Sequence, residues 1–512
     1  MFPRAVKKLK TILLVILLVI MLAQYNTIIK FIQRRFDRRQ YYAAETLRIF
    51  QISNKSKKAS TRMPKIFIAA HPVRTSEYST TPPKISTTAH PVKTSEESTT
   101  PPKISTSVIT VGYRFTDRQR YATKICRNLF AGKKKTINMA KKIKNSLTNT
   151  VFDGAYINMT KNCSEFIQSR GYIMRALSKE EADFPLAYSI LMYKDVVQAE
   201  RLLRAIYFPQ NYYIIHVDPK AKRVVKDAVR GIVNCFPNVL EAKNPFNVAW
   251  GRISLLQAEL TCMRQLLPYK KWRYFINLTG QEYPLWSNRD IVRTLMAFKG
   301  ANNIESRGLP KSRVFGFRYN WVYKNNQRTN MTKGPPPFNL TIIAGNVHII
   351  GSRRFVEFAL RDKRALGLLD WLNDTYISDE AFFSTLNYNH GLKAPGGYLG
   401  APPDPPGEIP QVADTPFLTR YIKWKYSPNY LYPTCMGWYQ RHVCIHGVGS
   451  LHQLVKRKEL FVNKFHLDYE PLGLDCLEQL HWNRTVLSAT ENYSFNDTEI
   501  ARLSFVVNQT RV

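Results

Sequence analysis

Glu380 closes the run Trp371-Leu372-Asn373-Asp374-Thr375-Tyr376-Ile377-Ser378-Asp379-Glu380. A carboxylate held beside a reacting hydroxyl can take its proton. The same Ser378-Asp379-Glu380 triplet ahead of Ala381-Phe382-Phe383 also reads as a plain helix start, with Ser as cap and acids in the first turn. Arg441, in Gln440-Arg441-His442-Val443-Cys444, and Lys464, in Phe461-Val462-Asn463-Lys464-Phe465, are the two kinds of cation that hold phosphate, a planar fork and a point charge. Read singly, each is a solvated surface group. Trp424 and Tyr426 could stack on an apolar ligand face, but their alternation equally fits packing on one side of a strand. His442 and His446 have zinc-like spacing. Polar filling of a loop is the preferred reading, and no CxxC pair supports a zinc ribbon.

These residues need a scaffold, and Phe184–Lys220 supplies its start. Leu186–Tyr193 is an apolar run of strand length, and Val196, Ala199, Leu203 and Ile206 then recur at helical spacing before Pro209. Tyr212–Val217 is a second buried-strand run, closed by Asp218-Pro219. Two strands joined by one amphipathic helix make a βαβ unit and seed a parallel sheet. Ligands of such sheets bind beyond the carboxyl ends of the strands, so His216, Val217 and Asp218 are nucleotide-site candidates. The alternation continues with a helix over Arg223–Val233, a strand over Val239–Ala242, a helix over Ser254–Leu267 and a strand over Tyr274–Leu278. The fold class predicted is α/β. Gly334-Pro335-Pro336-Pro337 reads as a rigid turn, followed by strand structure around Gly345.

The chain has 512 residues and a formal net charge of +38. Its basic residues are spread along the sequence and no nucleic-acid motif appears, so anionic small ligands are preferred over DNA or RNA. Thr11–Ile29 is apolar and of spanning size, which predicts a type II signal anchor behind a cytoplasmic tail at 1–10. Residues 30–112 form a stem in which HPVRTSEYSTTPPKIST recurs as HPVKTSEESTTPPKIST with a 19-residue period. Such a Ser/Thr/Pro composition cannot bury a core and reads as an O-glycosylated spacer. Residues 113–512 are the predicted luminal domain. Sequons at Asn54, Asn158, Asn162, Asn330, Asn339, Asn373, Asn483, Asn492, Asn496 and Asn508 favour the secretory pathway. Asn277, also in a sequon, lies in a predicted buried strand. Seven cysteines in an oxidising lumen predict three disulfides and one free thiol.

From about Asp183 to Cys476 the chain resembles the β1,6-N-acetylglucosaminyltransferases, the core 2 and I-branching enzymes, which are related to the peptide xylosyltransferases. The likeness is carried by the βαβ start, Asn247-Val248-Ala249-Trp250-Gly251-Arg252, the Trp371–Glu380 run and the two cation-bearing segments. It implies a GT-A-like, Rossmann-related domain with Glu380 as general base and Arg441 and Lys464 on the pyrophosphate of a UDP-sugar. Many GT-A enzymes use a metal held by Asp-x-Asp, a motif absent here, and the resembled enzymes are metal-independent, so no cofactor or metal is expected. Trp250 becomes a wall of the donor site, although packing would explain it too. Asp218 either contacts uridine or caps a turn.

On the acceptor side the resemblance implies Glu305, Arg313, Trp424 and Tyr426, while the segment around Gly316-Phe317-Arg318 departs from the family pattern. It also implies disulfides Cys126–Cys476, Cys163–Cys262 and Cys435–Cys444. Thr279 stands where the branching enzymes carry a further cysteine, which leaves Cys235 free. The expected activity is inverting transfer of a sugar, N-acetylglucosamine in β1,6 linkage first, to a mucin-type O-glycan. A glucose or xylose donor, a proteoglycan peptide acceptor, and an inactive glycan-binding membrane protein are the alternatives. The expected setting is the Golgi membrane, with a homodimer left open and no nucleic-acid partner.

Overall fold

The structure, a computed structural model, describes residues 117–142, 151–307, 321–325, 327–400, 417–427, 432–490 and 493–511. All of them belong to the unit Pro102–Val512. The predicted tail, anchor and stem, together with Asn54, Arg313 and Asn492, lie outside the described residues. Among the described residues no helix is long and apolar enough to cross a membrane.

A mixed six-stranded sheet forms the centre of this α/β fold. In chain order the strands are β1 (Leu186–Met192), β2 (Tyr212–Val217), β3 (Val239–Glu241), β4 (Tyr274–Thr279), β5 (Glu282–Pro284), β6 (Asn303–Arg307), β7 (Trp321–Lys324), β8 (Gln327–Thr332) and β9 (Ala344–Ser352). The central sheet has the order β3-β2-β1-β4-β9-β6. Its first four members run parallel, while β9 is antiparallel to both β4 and β6. The apolar runs at 186 and 212 form strands because helices cover both faces. Tyr188, Ile190 and Met192 pack with Tyr213, Ile215 and the helices Val196–Ile206 and Arg223–Asn234 on one face. Ala187, Ile214, Phe275 and the helix Ser254–Leu266 pack on the other. Each Leu or Ile fully buried in these layers stabilises the fold by roughly 2 kcal/mol.

The second half is less regular. Strands β10 (Tyr421–Ile422), β11 (Trp438–Gln440), β12 (Val443–Ile445) and β13 (Phe461–Asn463) are short. β13 lies between β10 and β5, and among the described residues β11 pairs only with β12. Gly345 in β9 is required by a close approach. A Cβ there would strike the Glu305 carbonyl and the Ser384 hydroxyl.

Disulfides join Cys126 to Cys476, Cys435 to Cys444 and Cys163 to Cys235. The third replaces the predicted Cys163–Cys262 pair, and Cys262, not Cys235, keeps the free thiol. The sheet itself is the reason. Cys163 packs against the core of the face that carries Cys235, whereas Cys262 is buried in the core of the opposite face. Of the described sequon asparagines, Asn158, Asn162, Asn330, Asn339, Asn373, Asn483, Asn496 and Asn508 are exposed. Asn277 is buried, its amide donating to Val347 O at 2.8 Å and accepting from Ile349 N at 2.7 Å.

Candidate active site

The carboxyl end of β2 is occupied by its own loop contacts. His216 is buried, and its Nε2 accepts from the Phe246 amide at 3.0 Å. Burial pushes the imidazole pKa below its ordinary value, which keeps the acceptor nitrogen unprotonated. Asp218 accepts from the Lys220 amide at 2.8 Å and the Val248 amide at 3.1 Å. Asp218 therefore caps the turn and fastens the loop that presents Trp250. Val217 is a buried strand residue.

From this loop a chain of contacts leads to Glu380. Trp250 is half exposed, and its ring meets the edge of Tyr376 at 5.7 Å. Tyr376 in turn stacks on Tyr323 at 5.4 Å. The Tyr323 amide donates to Asp374 O at 2.8 Å, and Lys333 pairs with the Asp374 carboxylate. Lys333 also lies 4.4 Å over the Trp371 ring, whose Nε1 donates to Gly334 O at 3.0 Å. Trp371, Asp374 and Tyr376 of the Trp371–Glu380 run thus each have a mechanical role. The last link is backbone: Ile377 N donates to Gly251 O at 2.9 Å. Gly251 has φ +77°, a left-handed conformation that glycine adopts without strain.

Ser378–Glu380 is a 3-10 turn with no side-chain cap, followed by the helix Phe382–Tyr388. The helix-start reading misplaces the Ser, because the left-handed Ile377 precedes the turn. Ser378 and Asp379 are buried, and Glu380 is half-buried.

The cations converge from three segments. Arg441 and His442 both have positive φ and link β11 to β12, the pattern of a two-residue type I′ hairpin. The exposed Arg441 guanidinium lies 6.0 Å from the Trp250 ring centre. Lys464 directly follows β13 and reaches Gln440 Oε1 at 3.4 Å. Burial, then the charges of Arg441 and Lys194, hold its ammonium pKa below the ordinary lysine value. Lys194, two residues past the end of β1 and paired with Asp195 at 3.1 Å, thus adds positive charge on the Lys464 side. The sequence reading passed over it. A lysine after an apolar strand forms no pattern of its own, although its place at a strand's carboxyl end was a usable signal.

A buried polar group supports Lys464 from below. Glu282 on β5 accepts from Asn463 Nδ2 at 2.7 Å and pairs with Arg420 Nε at 3.2 Å. His348 Nε2 lies 3.3 Å from the same carboxylate, and burial pushes that imidazole down to about 4.

Trp424 and Tyr426 stack with ring centres 6.1 Å apart, and Tyr426 continues onto His442 at 5.9 Å. This platform, with Tyr426 exposed and Trp424 half-buried, therefore adjoins Arg441. Glu305 lies on β6, and its carbonyl accepts from Ser384 Oγ at 2.8 Å, on the helix that follows Glu380. His446, unlike the exposed His442, is buried between Tyr421 and Phe465, so the zinc-like spacing does not gather a ligand set. Among the described residues no three His, Cys, Asp or Glu side chains are grouped for a metal.

A family profile described as Core-2/I-Branching enzyme matches residues 186–454, more than half of the chain. The chain belongs to the Core-2/I-branching enzyme family. It is accordingly a glycosyltransferase. Among curated proteins, the N-acetyllactosaminide β-1,6-N-acetylglucosaminyl-transferase of Homo sapiens is 39% identical over 355 residues, covering 66% of this chain and 84% of that protein. The β-1,3-galactosyl-O-glycosyl-glycoprotein β-1,6-N-acetylglucosaminyltransferase 3 of Homo sapiens is 35% identical over 340 residues, covering 64% and 75%. A protein of the latter type from Bovine herpesvirus 4 is 35% identical over 339 residues, covering 64% and 74%. Within this branching-enzyme chain, the matched segment holds the loop at Trp250, Glu380 and Arg441, while Lys464 lies just beyond its end.

Proposed function

We propose that this chain transfers N-acetylglucosamine, in β1,6 linkage and with inversion, from UDP-N-acetylglucosamine to a hydroxyl of a mucin-type O-glycan. The central sheet would serve as a GT-A-type nucleotide-binding platform. Glu380 takes the proton of the attacking hydroxyl, whose oxygen forms the new bond to the anomeric carbon as the bond to UDP breaks. Arg441 and Lys464, with Lys194 beside them, hold the negative charge left on the departing diphosphate. That electrostatic work needs no divalent ion, so the reaction is read as metal-independent. Glu305, Trp424 and Tyr426 would receive the acceptor sugar, the rings against its apolar face and the carboxylate on its hydroxyls. The reaction is placed in the Golgi lumen, behind a type II anchor at 11–29.

The observation that carries this reading is the meeting of Trp250, Tyr376 and Arg441. Through it the segment that ends in Glu380 and the Arg441 side chain both border the loop at Trp250, which supports the reading. The test is transfer from a panel of UDP-sugars to core O-glycans, with and without EDTA, by the wild type and by Glu380→Gln. EDTA-resistant transfer of N-acetylglucosamine that is lost in the variant supports the proposal. A requirement for metal, transfer that survives Glu380→Gln, or preference for a glucose or xylose donor overturns the corresponding part.

A further inference from the structure

A basic recess lies at the other end of the sheet. It has a volume of about 600 Å³ and is lined by Arg264, Leu267, Pro268, Lys270, Arg353, Glu357, Leu360 and Arg361. The helix Ser254–Leu266 ends here and the helix Arg353–Arg361 begins here. The connecting segment then passes through Trp272 and Arg273 into the first residue of β4, opposite the first residue of β1. The candidate active site gathers beyond the last residues of these parallel strands. At 3.3 Å per residue the two regions are separated by roughly 20 Å of strand.

Its floor is built rigidly. Arg353 donates to Tyr269 O at 2.9 Å and Leu267 O at 2.6 Å, and its guanidinium lies 4.5 Å over the Trp272 ring. Glu357, the one carboxylate of the lining, is taken up by Arg353 at 3.3 Å. Arg264, Lys270 and Arg361 are exposed around the rim, with no carboxylate partner among the described residues. Like charges gathered without a counter-charge repel one another, and an entering anion relieves that repulsion. Leu267, Pro268 and Leu360 add apolar wall between the cations. A single inorganic anion would leave most of the volume to water, whereas a pyranose unit can lay an apolar face on that wall and turn charged substituents to the rim. A bilayer surface is flat and does not match a concave recess.

The geometry points to a second carbohydrate site here, one that binds a sulfated oligosaccharide away from the catalytic groove. Arg353 fixes the floor, and Arg264, Lys270 and Arg361 hold the sulfate esters. The test measures binding of a heparin-derived tetrasaccharide, and of its desulfated counterpart, to the detergent-purified full chain. Wild type is compared with Arg264→Glu/Lys270→Glu/Arg361→Glu. A control with the same net charge, Lys133→Glu/Lys134→Glu/Lys135→Glu, alters exposed lysines elsewhere.

The rim variant is expected to weaken binding about tenfold or more, and the control less than about twofold. Desulfation should abolish binding to the wild type. Should the triple variant lose its fold, Lys270→Glu alone is expected to lose about threefold by removing one charge-assisted contact. Equal losses in rim variant and control, equal affinity for the desulfated sugar, or no binding by wild type would each overturn the proposal. So would rim-dependent binding to anionic vesicles without binding to the tetrasaccharide.

Discussion

The amide of Ile377 donates to the carbonyl of Gly251 at 2.9 Å, tying the turn that ends in Glu380 to the loop that presents Trp250. The backbone of the turn that carries Glu380 is thus anchored to that loop. Replacing Glu380 with Gln should leave the fold and UDP-induced thermal stabilisation in place. Transfer should fall by about 10³-fold, within the range for loss of a general base. Initial rates and thermal melts with and without UDP check both halves.

Arg441→Ala and Lys464→Ala should each lower turnover about 10²- to 10³-fold and weaken UDP binding. A pH series separates the two. The Lys464 ammonium has a pKa below the ordinary lysine value, so its charge is present at lower pH and is lost as pH rises through that lowered pKa. UDP affinity of wild type should therefore decline on the alkaline side, and Lys464→Arg should push that decline to higher pH. Titration of UDP at several pH values reads it directly.

Glu259 is buried beneath Ser189, whose hydroxyl donates to it, and burial pushes its carboxyl up to about 7. The folded-state pKa is raised, so the associated stability is fully present below about 4.5 and is lost as pH rises through about 7. Glu259→Gln removes this titration. Denaturant unfolding should show the variant gaining on wild type between pH 5 and pH 8, by about 3 kcal/mol at most. An advantage that stays constant across pH would contradict the protonated carboxyl.

Peptide mapping under non-reducing conditions should recover Cys163 linked to Cys235, with Cys262 alkylated only after unfolding. Cys235→Ser should cost about 2–5 kcal/mol, the usual effect of losing a native bridge. Cys262→Ala should leave all three bridges formed.

The parallel half of the sheet was legible because each strand is a mainly apolar run free of Gly and Pro and each covering helix carries its own periodicity. Tyr212–Val217 occupies the span its sequence predicts, and the helix at Arg223 runs only one residue longer than predicted. Cysteine pairing was not legible in the same way. Which face of a sheet a helix covers is a property of the assembled layers, and Cys163 and Cys262 fall on different faces. The Glu282–Arg420–His348 group joins residues far apart in sequence, none of which stands in a local pattern. The motif from Trp371 to Glu380 could be noticed in the sequence. The contacts of its individual positions with Lys333, Tyr323 and Gly251 required the fold.

Cys126 and Cys476 are bridged across 350 residues. The branching-enzyme body is thereby a covalent ring with two loose ends. A protease that cuts the backbone once between these cysteines makes two peptides but not two molecules, and only reduction lets them part. A cut upstream of Cys126 instead sheds the entire ring from whatever precedes it. The two kinds of nick are therefore told apart by running one digest on paired gels, with and without reductant.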